Sequence, residues 1–248
     1  MLKVNDMNPG GSWEQGDMVW LNGDILDELG GSFLVPFERE RGWELSPAMA
    51  PYRARIAALI EELFDGRQRW GFKSPLAIAT LPIWQSVIGE LDFVICVRNP
   101  IEFVQSARTW VPDVRELDPI ALWRHHNCEA LRLTAGHRRT FVFYEDWFGD
   151  PIPAARDLAV FLHGSADAVP PGAWGEIAAV VDSSLRRQRA SELDLAESDE
   201  VAVEARALYF LLRSLAEAER NGDERAAALH AVAAALDGDV VVRSRSSG

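Results

Sequence analysis

The chain has 248 residues, of which 48% are hydrophobic and 25% are charged, a composition that is ordinary for a globular protein. Its formal net charge of −13 excludes nonspecific binding to nucleic acid or to an anionic membrane, because most of the surface repels polyanions. Two cysteines are too few for a disulfide framework, no apolar run reaches the length of a membrane span, and no signal peptide is recognisable. We therefore expect a cytoplasmic protein.

Apolar periodicity and capping residues predict a mainly helical chain with a few strands. Helices are predicted over 17–29, 50–64, 75–88, about 100–110, 118–135, 151–162, 199–220 and 224–236, with a turn near 174–182. Strands are predicted at 69–73, 93–97 and 140–144. Because strands alternate with helices, we expect an α/β fold with a parallel, doubly wound sheet, for which three strands are few.

The segment from Asp92 to Ser106 predicts a strand, an anion site and a helix in succession. Phe93–Val97 is a continuous apolar run, typical of a strand buried on both faces of a parallel sheet. Asn99 suits the helix N-cap, and Pro100 suits the first helical position. Arg98 then stands at the carboxyl end of a strand beside a helix N-terminus, where a guanidinium and free backbone donors together suit an anion. An ordinary strand-to-helix turn with a surface arginine is the alternative.

Five segments resemble, in the same order, motifs of sulfotransferases that use 3′-phosphoadenosine-5′-phosphosulfate (PAPS). Arg98-x-Pro100 with Ser106 is similar to the 3′-phosphate-binding segment of that family. The other segments are Asn8 to Glu14, Trp70 to Pro75, Phe143 to Asp146 followed by Asp150-Pro151, and Ser184 to Arg187. The resemblance implies a P-loop-type doubly wound parallel sheet with helices on both faces. It also implies transfer of a sulfuryl group from PAPS to a hydroxyl or amine of a small molecule or glycan, without a metal.

The resemblance assigns the nucleotide to five residues. Arg98 and Ser106 would bind the 3′-phosphate of PAPS or of its product, adenosine 3′,5′-bisphosphate. Tyr144 would pack against the adenine, and Arg186 and Arg187 would close over the cofactor phosphate. For each of these residues, a core or solvent-exposed role is the alternative.

Three further residues are candidates for the transfer step. Lys73 would stabilise the charge that develops on the leaving phosphate oxygen. Glu14 and His125 are candidates for the general base that takes the acceptor's proton. His126 follows directly on the same helix, and the two histidines point about 100° apart, so we expect at most one to face a cleft. Structural roles, such as helix-entry capping for Glu14, are the alternatives.

One family motif is missing from the sequence. The glycine-rich loop ending in Arg/Lys-Ser-Gly-Thr, which holds the 5′-phosphosulfate, does not occur, and the pair Gly10-Gly11 indicates a simple turn. We therefore expect either an amino-terminally shortened sulfotransferase or a noncatalytic remnant that binds a nucleotide or a partner. Another P-loop phosphotransferase is a weaker rival, because such enzymes depend on that loop. Without a central strand, the chain is expected to be marginally stable or to form a homodimer.

The resemblance also predicts the domain organisation. Residues 1–164 are expected to form the sulfotransferase-like α/β core. Residues 165–248 are expected to form a helical C-terminal extension of the same domain, with a short disordered tail after Arg243.

Overall fold

The computed structural model describes residues 14–35, 39–110 and 118–236 of the chain. These residues form two compact units, the first made of residues up to 91 together with 118–135, and the second of 92–110 together with 136–236. The boundary predicted at residue 164 falls inside the second unit and stays a prediction. The Asn8 to Trp13 part of the first motif and the tail after Arg243 lie outside the described residues.

The described part of the chain is mostly helical, with one pair of strands. In chain order the elements are α1 (Gly16–Glu28), α2 (Ala50–Phe64), α3 (Ala77–Ile88), β1 (Phe93–Val97), α4 (Pro100–Trp110), α5 (Pro119–Leu133), β2 (Arg139–Phe143), α6 (Ile152–His163), α7 (Ala173–Val180), α8 (Glu192–Glu197), α9 (Val203–Asn221) and α10 (Ala226–Ala235). The eight predicted helices are confirmed. Helix α7 replaces a predicted turn, and the short helix α8 was not predicted.

The predicted strand at 69–73 is wrong, because these residues form a loop between α2 and α3. Two aromatic side chains attach this loop to the neighbouring helices. Trp70 stacks on Phe64 with ring centroids 4.4 Å apart, and Phe72 lies 4.7 Å from Trp84. Trp70 and Phe72 alternate with non-aromatic residues as in a strand, but their rings contact side chains of helices and the segment does not pair in a sheet.

Helices α1, α2 and α3 build the core of the first unit, and α5 packs against α3. This core consists of fully buried apolar side chains: Met18, Leu21, Ile25, Met49, Ile56, Ile83 and Trp84. A buried amide crosses it, since Asn22 Oδ1 accepts from Thr80 Oγ1 at 2.6 Å and from Trp84 Nε1 at 2.7 Å. Asn22 Nδ2 also donates to Ser74 Oγ at 3.4 Å, which ties the loop before α3 to the core.

The second unit contains the sheet. Strands β1 and β2 are parallel neighbours, with Phe93 opposite Arg139 and Val97 opposite Phe143. Helices α6 and α9 pack against β2. Parallel strands joined and flanked by helices agree with the predicted α/β class, and the pairing brings the carboxyl ends of both strands to one edge.

Strand β1 is not buried on both faces, contrary to the prediction. Val94 is 41% exposed and Cys96 is exposed, whereas Val97 is buried. This alternation is typical of a strand that is covered on one face only. Of the two cysteines, Cys96 in this strand is therefore exposed, whereas Cys128 is buried. Within the described residues, no helix is both long and apolar enough to cross a membrane.

Candidate functional site

The turn between β1 and α4 is held by two side chains. Asn99 is fully buried, and its Oδ1 accepts the backbone N–H of Ile101 at 2.9 Å, which confirms the predicted cap. Glu145 accepts the backbone N–H of Asn99 itself. The backbone N–H groups of Asn99 and Ile101 are therefore already hydrogen-bonded within the protein. The prediction that backbone donors at the start of α4 are free for an anion is wrong for these two groups.

Arg98 and Tyr144 meet at the carboxyl edge of the sheet. Each residue directly follows a strand, and Val97 pairs with Phe143, so the parallel register makes the two residues neighbours. The guanidinium carbon of Arg98 lies 4.5 Å from the centroid of the Tyr144 ring. Burial raises the pKa of the Tyr144 phenol above its ordinary value of 10.0, so this hydroxyl stays protonated at neutral pH.

A fully buried carboxylate, Glu102, connects two of the predicted arginines. Its Oε1 accepts from Arg186 Nε at 3.1 Å and also from Arg186 Nη2. Its Oε2 lies 3.4 Å from Arg98 Nε, and the backbone N–H of Ala190 donates to Oε1 at 3.1 Å. Glu102 therefore orients both guanidiniums and fastens the segment around residue 186 to α4.

The remaining predicted nucleotide residues are not tied to this cluster. Ser106 is half-buried on α4, one turn beyond Glu102 on the same side of the helix. Arg187 is exposed. Of the five residues, the structure thus brings together Arg98, Tyr144 and Arg186, which we call the arginine cluster.

Two carboxylates after Tyr144 have structural partners. Asp146 forms an ion pair with Arg213 at 2.7 Å. Burial raises the pKa of Glu145, even though the N–H of Asn99 favours its ionised form. Its Oε2 is buried without a hydrogen bond among the described residues and lies 3.8 Å from Arg213 Nη2. Glu145 therefore acts mainly as the anchor of the turn after Arg98.

In the first unit, the structure pairs two of the residues predicted for the transfer step. Lys73 Nζ lies 2.7 Å from Glu14 Oε1. The Glu14 side chain is 9% exposed, whereas that of Lys73 is 62% exposed. Ser74, which the core amide Asn22 binds, holds the loop directly after Lys73. Glu14 precedes α1 and is an ion-pair partner, not the helix cap that was its alternative, since Gln15 occupies the N-cap position.

His125 lies in the first unit beside a small cavity. The cavity has a volume of about 10 Å³, roughly the room for one water, and both His125 and His126 line it, whereas helix geometry predicted only one histidine at a cleft. Burial lowers the pKa of His126 to about 4. Burial opposes ionisation of Glu129 in the same wall, but Arg132 and Arg39 hold its pKa below the ordinary value. These contacts give the cavity wall a structural role and do not single out His125 as a base.

Comparison of the chain with protein-family models, with curated proteins and with solved structures finds no match. Within the part of the chain that the structure describes, no group of three or more His, Cys, Asp or Glu side chains could hold a metal ion. The residue of this candidate site that sequence reasoning missed is Glu102. Its position four residues after Arg98 was the available signal, because residues at this spacing are neighbours on a helix.

Proposed function

We propose that the second unit binds the adenosine 3′,5′-bisphosphate part of PAPS, and that the chain is a sulfotransferase-like protein. The observation that carries this proposal is the meeting of Arg98, Tyr144 and Arg186 beside the carboxyl edge of the paired strands. The three residues come from three different segments that resemble sulfotransferase motifs. The edge where they meet is also where α/β sheets usually hold ligands.

The charges of the arginine cluster support a phosphate ligand. Arg98 and Arg186 share one carboxylate partner, Glu102, so the formal charges of these three side chains sum to one positive charge. Arg98 is 25% exposed and Arg186 is 15% exposed, whereas Glu102 is fully buried. A ligand from solvent therefore meets guanidinium groups and not the carboxylate. Guanidinium groups suit phosphate because their paired donors match its oxygens.

The resemblance is also the basis for proposing transfer of a sulfuryl group. In it, Lys73 stabilises the leaving phosphate oxygen. Glu14, which is ion-paired with Lys73, and His125 are the two candidates for the general base. The P-loop-type doubly wound sheet, the small-molecule or glycan acceptor and the cytoplasmic location belong to the same proposal. A content of two cysteines in 248 residues supports the last of these.

Binding without transfer is the second candidate function. The observation that favours it is that the 248 residues contain no Arg/Lys-Ser-Gly-Thr segment. Losing a single preorganised donor typically lowers a rate by about 10²–10³. A chain without that segment would then hold the bisphosphate while it turns over PAPS slowly or not at all.

Calorimetric titration with adenosine 3′,5′-bisphosphate tests the binding proposal. Arg98→Ala should weaken binding by about 10- to 150-fold, since a hydrogen bond to a charged group contributes about 1.5–3 kcal/mol. Arg108→Ala is the matched control, because Arg108 is an exposed arginine in the last turn of α4, the helix that begins two residues after Arg98. Equal affinities of wild type and Arg98→Ala would overturn the proposal.

Turnover separates the two candidate functions. The wild-type chain and Lys73→Met are incubated with PAPS and a panel of phenolic and sugar acceptors. Turnover that Lys73→Met abolishes supports the enzyme. Bisphosphate binding without turnover supports the second candidate.

A further inference from the structure

A cleft of about 510 Å³ lies beside the arginine cluster in the second unit. Its lining includes Trp147 and Phe148, which follow Tyr144 closely in sequence, and Ser183, Arg186 and Arg189 from the loop after α7. Arg186 belongs to both the cleft and the arginine cluster. The volume falls within the range of about 300–1,000 Å³ that is usual for small-molecule sites.

The cleft is electropositive although the chain is acidic. Two arginines and no carboxylate are among its lining residues, in a protein whose formal net charge is −13. Both arginines are held in place. Glu102 fixes Arg186, and Arg189 Nη2 donates to the backbone carbonyl of Ser183 at 3.3 Å. These features suit an anionic ligand that also carries a flat apolar group.

Two aromatic rings at the cluster, Tyr144 and Phe148, are each already covered by an arginine side chain. The Arg98 guanidinium lies over the Tyr144 ring, and Phe148 meets that ring edge-on with centroids 4.8 Å apart. Arg186 lies over the Phe148 ring at 5.2 Å. The Arg98 guanidinium thus covers one face of Tyr144, the ring on which the resemblance places the base. Trp147, three residues after Tyr144, lines the cleft.

We propose that this cleft binds the heterocyclic base of the nucleotide, with Trp147 as the aromatic wall on which the base stacks. This inference rests on the proposed function and names the part of the ligand that the arginine cluster does not bind. Arg186 joins the two parts, since it belongs to the cluster, where Glu102 holds it, and it also lines the cleft. A nucleotide then spans from its phosphate at the cluster to its base in the cleft.

Two ligands and three variants of the full chain test this assignment. Adenosine 3′,5′-bisphosphate carries base and phosphate, and pyrophosphate carries phosphate alone. Trp147→Ala should weaken nucleotide binding by about 5- to 150-fold, which is the 1–3 kcal/mol typical of stacking one base, and should leave pyrophosphate affinity within about twofold. Trp147→Phe should recover most of the loss, because it keeps a ring. Arg98→Ala should weaken both ligands.

Any other pattern of affinities overturns either the base site, the phosphate site or both. Unchanged nucleotide affinity in Trp147→Ala, with a loss in Arg98→Ala, overturns the base site and leaves the proposed function standing. An equal loss of both ligands in Trp147→Ala also overturns base stacking. A loss in Trp147→Ala with no loss in Arg98→Ala overturns the proposed phosphate site. No binding of either ligand by the wild type overturns both proposals.

Discussion

Replacing Glu102 by glutamine should destabilise the second unit and weaken nucleotide binding together. The Glu102 carboxylate is fully buried and accepts from Arg186, Arg98 and the backbone of Ala190. Removing one partner of a buried ion pair typically costs 3–5 kcal/mol, because the other charge is left buried. Arg98 and Arg186 keep some access to water, and the glutamine amide still offers one oxygen. We therefore expect a loss of about 2 kcal/mol in the free energy of unfolding, close to that of one hydrogen bond to a charged group.

Urea unfolding of the full chain measures this loss. Asp157→Asn is the control in the same unit, since Asp157 pairs with Arg220 at the surface, where both side chains are about half exposed. Such a surface pair contributes less than about 1 kcal/mol. A Glu102→Gln chain that unfolds within about 0.5 kcal/mol of Asp157→Asn would refute the reasoning, because the difference expected for a buried charge is larger.

The affinity of Glu102→Gln for the bisphosphate is a second measurement. It should change in opposite directions depending on whether Glu102 neutralises the two arginines or orients them. If Glu102 only neutralised the arginines, its removal would add one positive charge and strengthen bisphosphate binding. If Glu102 orients Arg98 and Arg186, Glu102→Gln should weaken binding by about tenfold, which corresponds to 1.4 kcal/mol. Stronger binding in this variant would refute the orienting role.

Three further predictions concern stability and reactivity. Burial lowers the pKa of His126 to about 4 from 6.5. The free energy of unfolding should therefore carry the full contribution of the neutral imidazole above pH 6.5. It should fall by about 3 kcal/mol as the pH falls toward 4, at 1.36 kcal/mol per pH unit. His126→Gln should remove that part of the pH dependence of urea unfolding, and an unchanged pH profile would contradict it. Asn22→Leu should cost about 1–3 kcal/mol in the same assay, because it leaves the buried indole N–H of Trp84 unsatisfied and removes the shortest hydrogen bond of the Thr80 hydroxyl. A loss below about 0.5 kcal/mol would contradict this. Cys96 should react with a thiol reagent in the folded chain while Cys128 reacts only on unfolding, and equal rates would show that their burial is assigned wrongly.

Local signals in the sequence were sufficient for the helices and for the turn after β1. Asn99 and Pro100 fix the start of α4 through cap chemistry that involves only nearby residues. A parallel sheet was predicted from the sequence, but the contact of Arg98 with Tyr144 was not. That contact arises because the two strands are neighbours, and the carboxyl ends of neighbouring parallel strands share an edge.

Long-range packing determined what the sequence did not reveal. Glu102 becomes buried only because Arg186 and Ala190, more than eighty residues later, fold onto α4. The apolar alternation around Phe72 has the period of a strand, but the aromatic partner of that ring lies on a helix. Cys96 is exposed because only one face of β1 is covered, and a continuous apolar run does not show how many faces are covered.

Thermal unfolding of the wild-type chain with two nucleotides tests the central claim most directly. Adenosine 3′,5′-bisphosphate and adenosine 5′-phosphate differ only in the 3′-phosphate that the arginine cluster is proposed to bind. A ligand at one hundred times its Kd stabilises a fold by about 2.7 kcal/mol, so the tighter nucleotide gives the larger rise in Tm at equal concentration. We predict a clear rise with the bisphosphate and a much smaller rise with adenosine 5′-phosphate. Identical rises for the two nucleotides would contradict a 3′-phosphate site at Arg98 and Arg186.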